Sequence, residues 1–113
     1  DAGGTLAFGT DSPTSPYAPL PNMFIAATRR SALDPSLDPN VPEFAMPLED
    51  SIAYATRGSA WASRAENLYG RIAAPLFADF VVLDRDVFSG DRENLLRAQV
   101  VRTVVGGRTV FER

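Results

Sequence analysis

The 113 residues contain no cysteine and no histidine. Without cysteine, neither a disulfide framework nor a thiolate metal site can form, and the redox compartment is left open. The missing histidine excludes more. Imidazole is the usual general base near neutral pH and the commonest nitrogen ligand of catalytic zinc. These residues therefore cannot assemble a Ser-His-Asp relay or a His-rich metal site by themselves. Long apolar runs are missing too: stretches such as Phe80-Val81-Val82-Leu83 fall far short of a membrane span. Strong charge is also absent. With 14 acidic against 11 basic residues the formal net charge is −3, which gives no field to attract a phosphate backbone, so nucleic-acid binding is not expected.

What is present suffices for one small domain and not for two, since 45% of the residues are hydrophobic. The opening Asp1-Ala2-Gly3-Gly4 carries no initiator Met, basic segment or signal-peptide core, so a piece of something longer is expected. A cytoplasmic location is the working expectation.

The most informative stretch is Thr5-Leu6-Ala7-Phe8-Gly9-Thr10-Asp11-Ser12-Pro13. It reads as a short strand over 5–9 entering a tight turn, with Asp11 at the strand's C-terminal lip, where α/β folds meet their ligands. An Asp before Ser-Pro is also a common Asx-turn residue, and the local pattern leaves both readings open. Eight of the nine prolines then lie between Pro13 and Pro47, which predicts an extended, turn-rich passage. Asn22 is expected to cap a helix over 23–30, with Arg29 and Arg30 at its C-terminal end complementing the dipole. Residues 31–43 hold two Asp-Pro steps and read as a long irregular loop, a candidate lid.

Pro47 opens a second expected helix with Leu48, Ile52 and Ala55 as its buried stripe, interrupted at Gly58. Trp61 on a short restarted helix reads as a packing anchor, and Gly70 as the end of the helical region. Residues 80–84 are apolar on both faces and should be covered on both sides. Asp91 to Leu96 looks like a turn or one helical turn. Gly106-Gly107 marks a hairpin between 100–105 and 108–112, pairing Val101 with Glu112, Arg102 with Phe111, Thr103 with Val110 and Val104 with Thr109. Apolar groups fall on both faces of that hairpin, which points to further strands.

Five blocks, taken in order, carry a family resemblance. They are Gly9-Thr10-Asp11-Ser12-Pro13, Ala26-Ala27-Thr28-Arg29-Arg30, the Leu48 to Thr56 stretch, Ala78 to Asp84 and Thr103 to Val110. Together they resemble the C-terminal portion of metal-dependent amidohydrolases, nearest the amidohydrolase 3 group of N-substituted formamide deformylase-like enzymes. The resemblance implies an α+β fragment. Residues 1–68 would supply the last strand and helices of a (β/α)8 TIM-type barrel, and 69–113 the C-terminal strands of a small β-sandwich. It implies a divalent metal, zinc by expectation, whose histidine and carboxylated-lysine ligands lie outside this segment. It also makes Asp11 the metal-contacting general acid/base for hydrolysis of an amide-type small molecule.

The expected partner is then the remainder of the same enzyme chain, with no membrane or nucleic acid involved. One departure stands out. Where the family has Gly and Lys in the turn after Gly70, this chain has Pro75 and Leu76, so that turn must differ in shape. Asp79 at its end reads as a structural turn residue. Two other readings compete. One is a free-standing structural or interaction module that forms a homo-dimer through strand edges. The other is a carboxylate-pair hydrolase using Asp11 with Asp34 or Asp38.

Overall fold

A computed structural model describes residues 3–113, so Asp1 and Ala2 of the opening lie outside it. The elements run α1 (Pro19–Thr28), a 3-10 turn (Pro42–Phe44), α2 (Leu48–Ala53), a π turn (Tyr54–Gly58), α3 (Ser59–Ala62), β1 (Phe80–Leu83), α4 (Asn94–Arg97), β2 (Val100–Val105) and β3 (Arg108–Glu112). The result is a small α+β arrangement with one three-stranded antiparallel sheet of order β1-β2-β3. Two compact units divide the residues. One holds 9–52 with 85–98, and the other holds 3–8, 53–84 and 99–113.

In the first unit α1 begins at Pro19, four residues before the expected start, because proline at N1 has the right φ and lacks only an N–H that would be orphaned. Asn22 therefore does not cap; its side-chain amide donates to the Gly9 carbonyl at 3.5 Å. The helix ends one residue before Arg29, which takes the left-handed conformation at φ 58° and sends its N–H to Ile25 O at 2.7 Å. Both arginines thus lie beyond the last turn. The buried side chains of this unit are Met23 and Phe24 of α1, Leu48 and Ser51 of α2, Val87, and Leu95 of α4. Leu48 sits where the apolar stripe put it, while Ile52 and Ala55 are half-buried. Residues 31–40 form the irregular loop expected of them.

The second unit departs more. Residues 5–9 form no strand; within 3–8, the Phe8 N–H donates to Tyr54 O at 3.1 Å and its carbonyl accepts the Ser59 hydroxyl at 2.9 Å. A strand exists only with a partner ladder, and no strand among the described residues pairs with 5–9. Gly58 does not interrupt the helix either. It keeps helical angles of −62° and −44°, and the π turn carries the chain straight into α3. A Cβ at Gly58 would run into the Leu6 carbonyl, so the glycine is there for close approach and not to break the helix. Trp61 is 53% exposed, because the packed side of α3 is the one holding Gly58 and Ala60. The helical region ends at Ala62, with Ser63 as its cap, eight residues before Gly70.

In the sheet, Gly106 and Gly107 take φ of 55° and 76°, the two positive values a two-residue hairpin turn requires. The Asp79 carboxylate accepts the Gly106 N–H at 2.6 Å, so it serves the turn as expected. Val104 faces Thr109 as predicted, but beyond it the register slips by one, to Thr103 with Phe111 and Arg102 with Glu112. Val110 is the extra residue of a bulge, a feature that alternation of side chains alone does not encode. Cover on both faces of β1 is not found, since Val81 and Val82 are 53% and 40% exposed.

Candidate functional site

Every residue of the candidate site belongs to the unit of 9–52 and 85–98. Asp11 sits at φ 53°, a left-handed conformation that Asp tolerates better than most residues. Its carbonyl accepts the Thr14 N–H at 2.9 Å, closing a four-residue turn. The side chain does not do the turn's work. Asp11 is exposed, and its carboxylate takes no hydrogen bond from any described residue. The Asx-turn geometry is thus absent, and both carboxylate oxygens are available to a ligand.

Asp34 and Asp38 behave otherwise. The Ser36 hydroxyl and N–H both donate to Asp34 Oδ1, at 2.5 and 3.1 Å. The Ser36 hydroxyl first, and its N–H second, hold the Asp34 carboxyl below the usual carboxylate range. A general acid needs the opposite shift, so this Asx turn does not supply one. Asp38 is exposed. Among the described residues no three His, Cys, Asp or Glu side chains come together to hold a metal ion. Asp11 can offer a cation one carboxylate, and a catalytic zinc takes three protein ligands, so the fit of this chain to such an ion is partial.

Around the loop the arginines do what composition alone did not reveal. Arg29 Nε donates to Asn40 O at 3.1 Å, and the Asn40 N–H returns a bond to Arg29 O at 2.9 Å. Arg30 reaches Pro35 O, pairs with Glu93 Oε1 at 3.3 Å and lies 5.8 Å from the centroid of the Phe24 ring. Glu93 in turn accepts from Arg97 at 2.5 Å. The two adjacent arginines therefore brace the loop, one at its end and one at its middle. The sequence signal was the Arg-Arg step directly before a proline-punctuated loop, read there as a dipole effect only.

Compared with known proteins, residues 1–111 match the model of the amidohydrolase family. The chain belongs to the amidohydrolase family. It is 33% identical over 111 residues to a protein of Bacillus subtilis (strain 168) that carries the name amidohydrolase YtcJ, an alignment covering 95% of this chain and 20% of that protein. It is 31% identical over 113 residues to an N-substituted formamide deformylase of Arthrobacter pascens, covering all of this chain and again 20% of the relative. The amidohydrolase chain thus spans about a fifth of the length of the curated relatives it matches. No solved structure gives a significant match. The family suggests a TIM-barrel-type enzyme and is generally metal-dependent. No helix of the described residues is long and apolar enough to cross a membrane.

Proposed function

We propose that this chain is the C-terminal segment of a metal-dependent hydrolase acting on non-peptide carbon–nitrogen bonds of amide-type small molecules. The observation that carries the reading is the family match along 1–111. In this reading residues 1–68 are the last strand and helices of the barrel, and 69–113 are strands of a small β-sandwich. Residues 5–9 become a strand only beside barrel neighbours, which these 113 residues do not include.

The divalent cation, with zinc as the candidate, would lower the pKa of a bound water toward neutrality when present, its other ligands coming from outside this segment. Asp11 is the group this chain contributes. With both oxygens unengaged, its carboxylate can contact the ion, accept the proton of the attacking water and return it to the leaving amine. The turn from Asp11 to Thr14 fixes where that carboxyl starts. In the complete enzyme, Asp11→Asn should lower kcat about 10²–10⁴-fold, because the amide keeps the shape but takes no proton. Unchanged kcat in that variant would remove Asp11 from the mechanism.

One observation favours a second reading, a self-associating module. Val81, Val82, Val110 and Phe111 leave apolar surface on the sheet, with the exposed β3 as an open edge. Light scattering and dye binding of the purified chain test it: a stable homo-dimer supports the module, and a well-folded monomer with low dye binding argues against both self-association and missing partner strands.

A further inference from the structure

The chain that follows α3 folds back on the helical run. The Ala65 N–H donates to Ala60 O at 2.8 Å, and the Tyr69 N–H to Ala65 O at 3.1 Å. Gly70, at φ 105°, then comes so close that a Cβ there would lie 2.7 Å from the Ala60 Cβ and 3.3 Å from the Arg57 Cα. This approach sets Arg71 beside Arg57, and the two line a recess of about 130 Å³ with Glu66, Asn67 and Tyr69. Neither guanidinium has a hydrogen-bond or ion-pair partner among the described residues. Against the one carboxylate of Glu66 they leave a single net positive charge, and unpaired guanidiniums are costly to cover with anything but a counter-charge. The planar fork of each matches the two oxygens of a carboxylate, so the counter-charge that fits is an oxyanion. A second hollow, of about 280 Å³, shares Arg57 and Glu66 with the first, and its wall includes Tyr54 and Trp61, the latter 53% exposed. An anion seated at Arg57 therefore has an aromatic surface next to it.

We propose that Arg57 and Arg71 form a binding site for a singly charged organic carboxylate, with its head group between the two guanidiniums and its flat apolar body against Trp61. Gly70 is the positioning element, because any side chain there would push the two arginines apart. Neither Asp11 nor the metal chemistry proposed above enters this site.

The test uses the complete protein, with calorimetry of three probes at one ionic strength: benzoate, which has both head and ring, acetate, which has the head alone, and benzyl alcohol, which has the ring alone. Benzoate should bind at least about tenfold more tightly than either of the others. Arg57→Met and Arg71→Met, which keep apolar bulk and remove the charge, should each weaken benzoate about tenfold. Trp61→Ala should weaken benzoate several-fold and leave acetate unchanged. All three side chains are exposed, so the variants should melt as the unaltered protein does; if one fails to melt cooperatively, the other two decide. Benzyl alcohol binding as tightly as benzoate, no binding of benzoate, or benzoate affinity undiminished in the folded arginine variants overturns the site, since binding that survives their loss lies elsewhere in the protein.

Discussion

Carboxylates in this chain divide by what their neighbours donate. Asp86 is the fullest contrast to Asp11: its oxygens accept the Ser89 hydroxyl, the Phe88 N–H at 2.7 Å and the Ser89 N–H at 3.3 Å. The Ser89 hydroxyl first, then those two amides, hold its carboxyl below the ordinary value of 3.8. A carboxyl depressed in the folded state stabilises that state above the unfolded pKa, and the contribution is lost as pH falls through the folded pKa. The turn over 86–89, which carries buried Val87, should therefore stay tied at pH 5 and come undone only below 3.8. A carbon-detected titration of the Asp86 carboxyl reads this directly. Its midpoint should lie below 3.8, and Ser89→Ala should move it upward. A midpoint unmoved by that substitution would show that the hydroxyl is not the cause. Asp34, held by Ser36, should follow the same course.

At the scale of elements, the clearest forecast concerns the docking of 3–8 on the helical run. Gly58→Ala should gain roughly 1 kcal/mol of helix propensity and still lose overall, because the added methyl meets the Leu6 carbonyl and the Ala7 Cα, and backbone cannot step aside as a side-chain tip can. Overpacking of this kind costs about 1–3 kcal/mol. The Phe8 amide, bonded to Tyr54 O, reports the outcome: its hydrogen exchange should quicken about tenfold in the variant while helix content holds. Unaltered exchange would mean the segment has room to shift. The same element shows where the sequence was legible and where not. Pattern and turn chemistry placed the hairpin at Gly106-Gly107 and buried Leu48, since both depend on neighbours along the chain. Gly58 was misread because its reason is a residue 52 positions earlier in the chain, and Phe24 and Leu95, both fully buried, fell outside any short periodic stripe. Residues 5–9 carry a strand's composition without a partner to pair with. The exposed carboxylate of Asp11 lay within reach of sequence reasoning through the family resemblance, whereas the arginine brace required knowing which carbonyls the loop turns inward.

Across the whole molecule, large apolar side chains stand exposed in both units, among them Leu33 and Leu37 in one and Ile72, Phe77 and Val110 in the other. Monomeric proteins rarely leave so much uncovered. The proposed reading as a segment of a longer enzyme offers a reason, because the chain accounts for about a fifth of each relative's length and the remainder would cover such surfaces. The proposed hydrolase reading divides catalysis in the same way. In the proposed reading Asp11 contributes a proton acceptor and a single ligand, and with no group of three ligating side chains among the described residues the segment by itself should hold a cation weakly. The isolated 113 residues should accordingly retain less than one equivalent of zinc after desalting and show no amide hydrolysis above background, even with zinc supplied. The complete enzyme should keep its metal and its rate, and lose both when the ion is stripped. Plasma emission spectrometry and an amidase assay on the two proteins side by side make the comparison. Turnover by the short chain at a rate near that of the complete enzyme would mean that its residues build a full site by themselves, and the division of labour argued from Asp11 would fall.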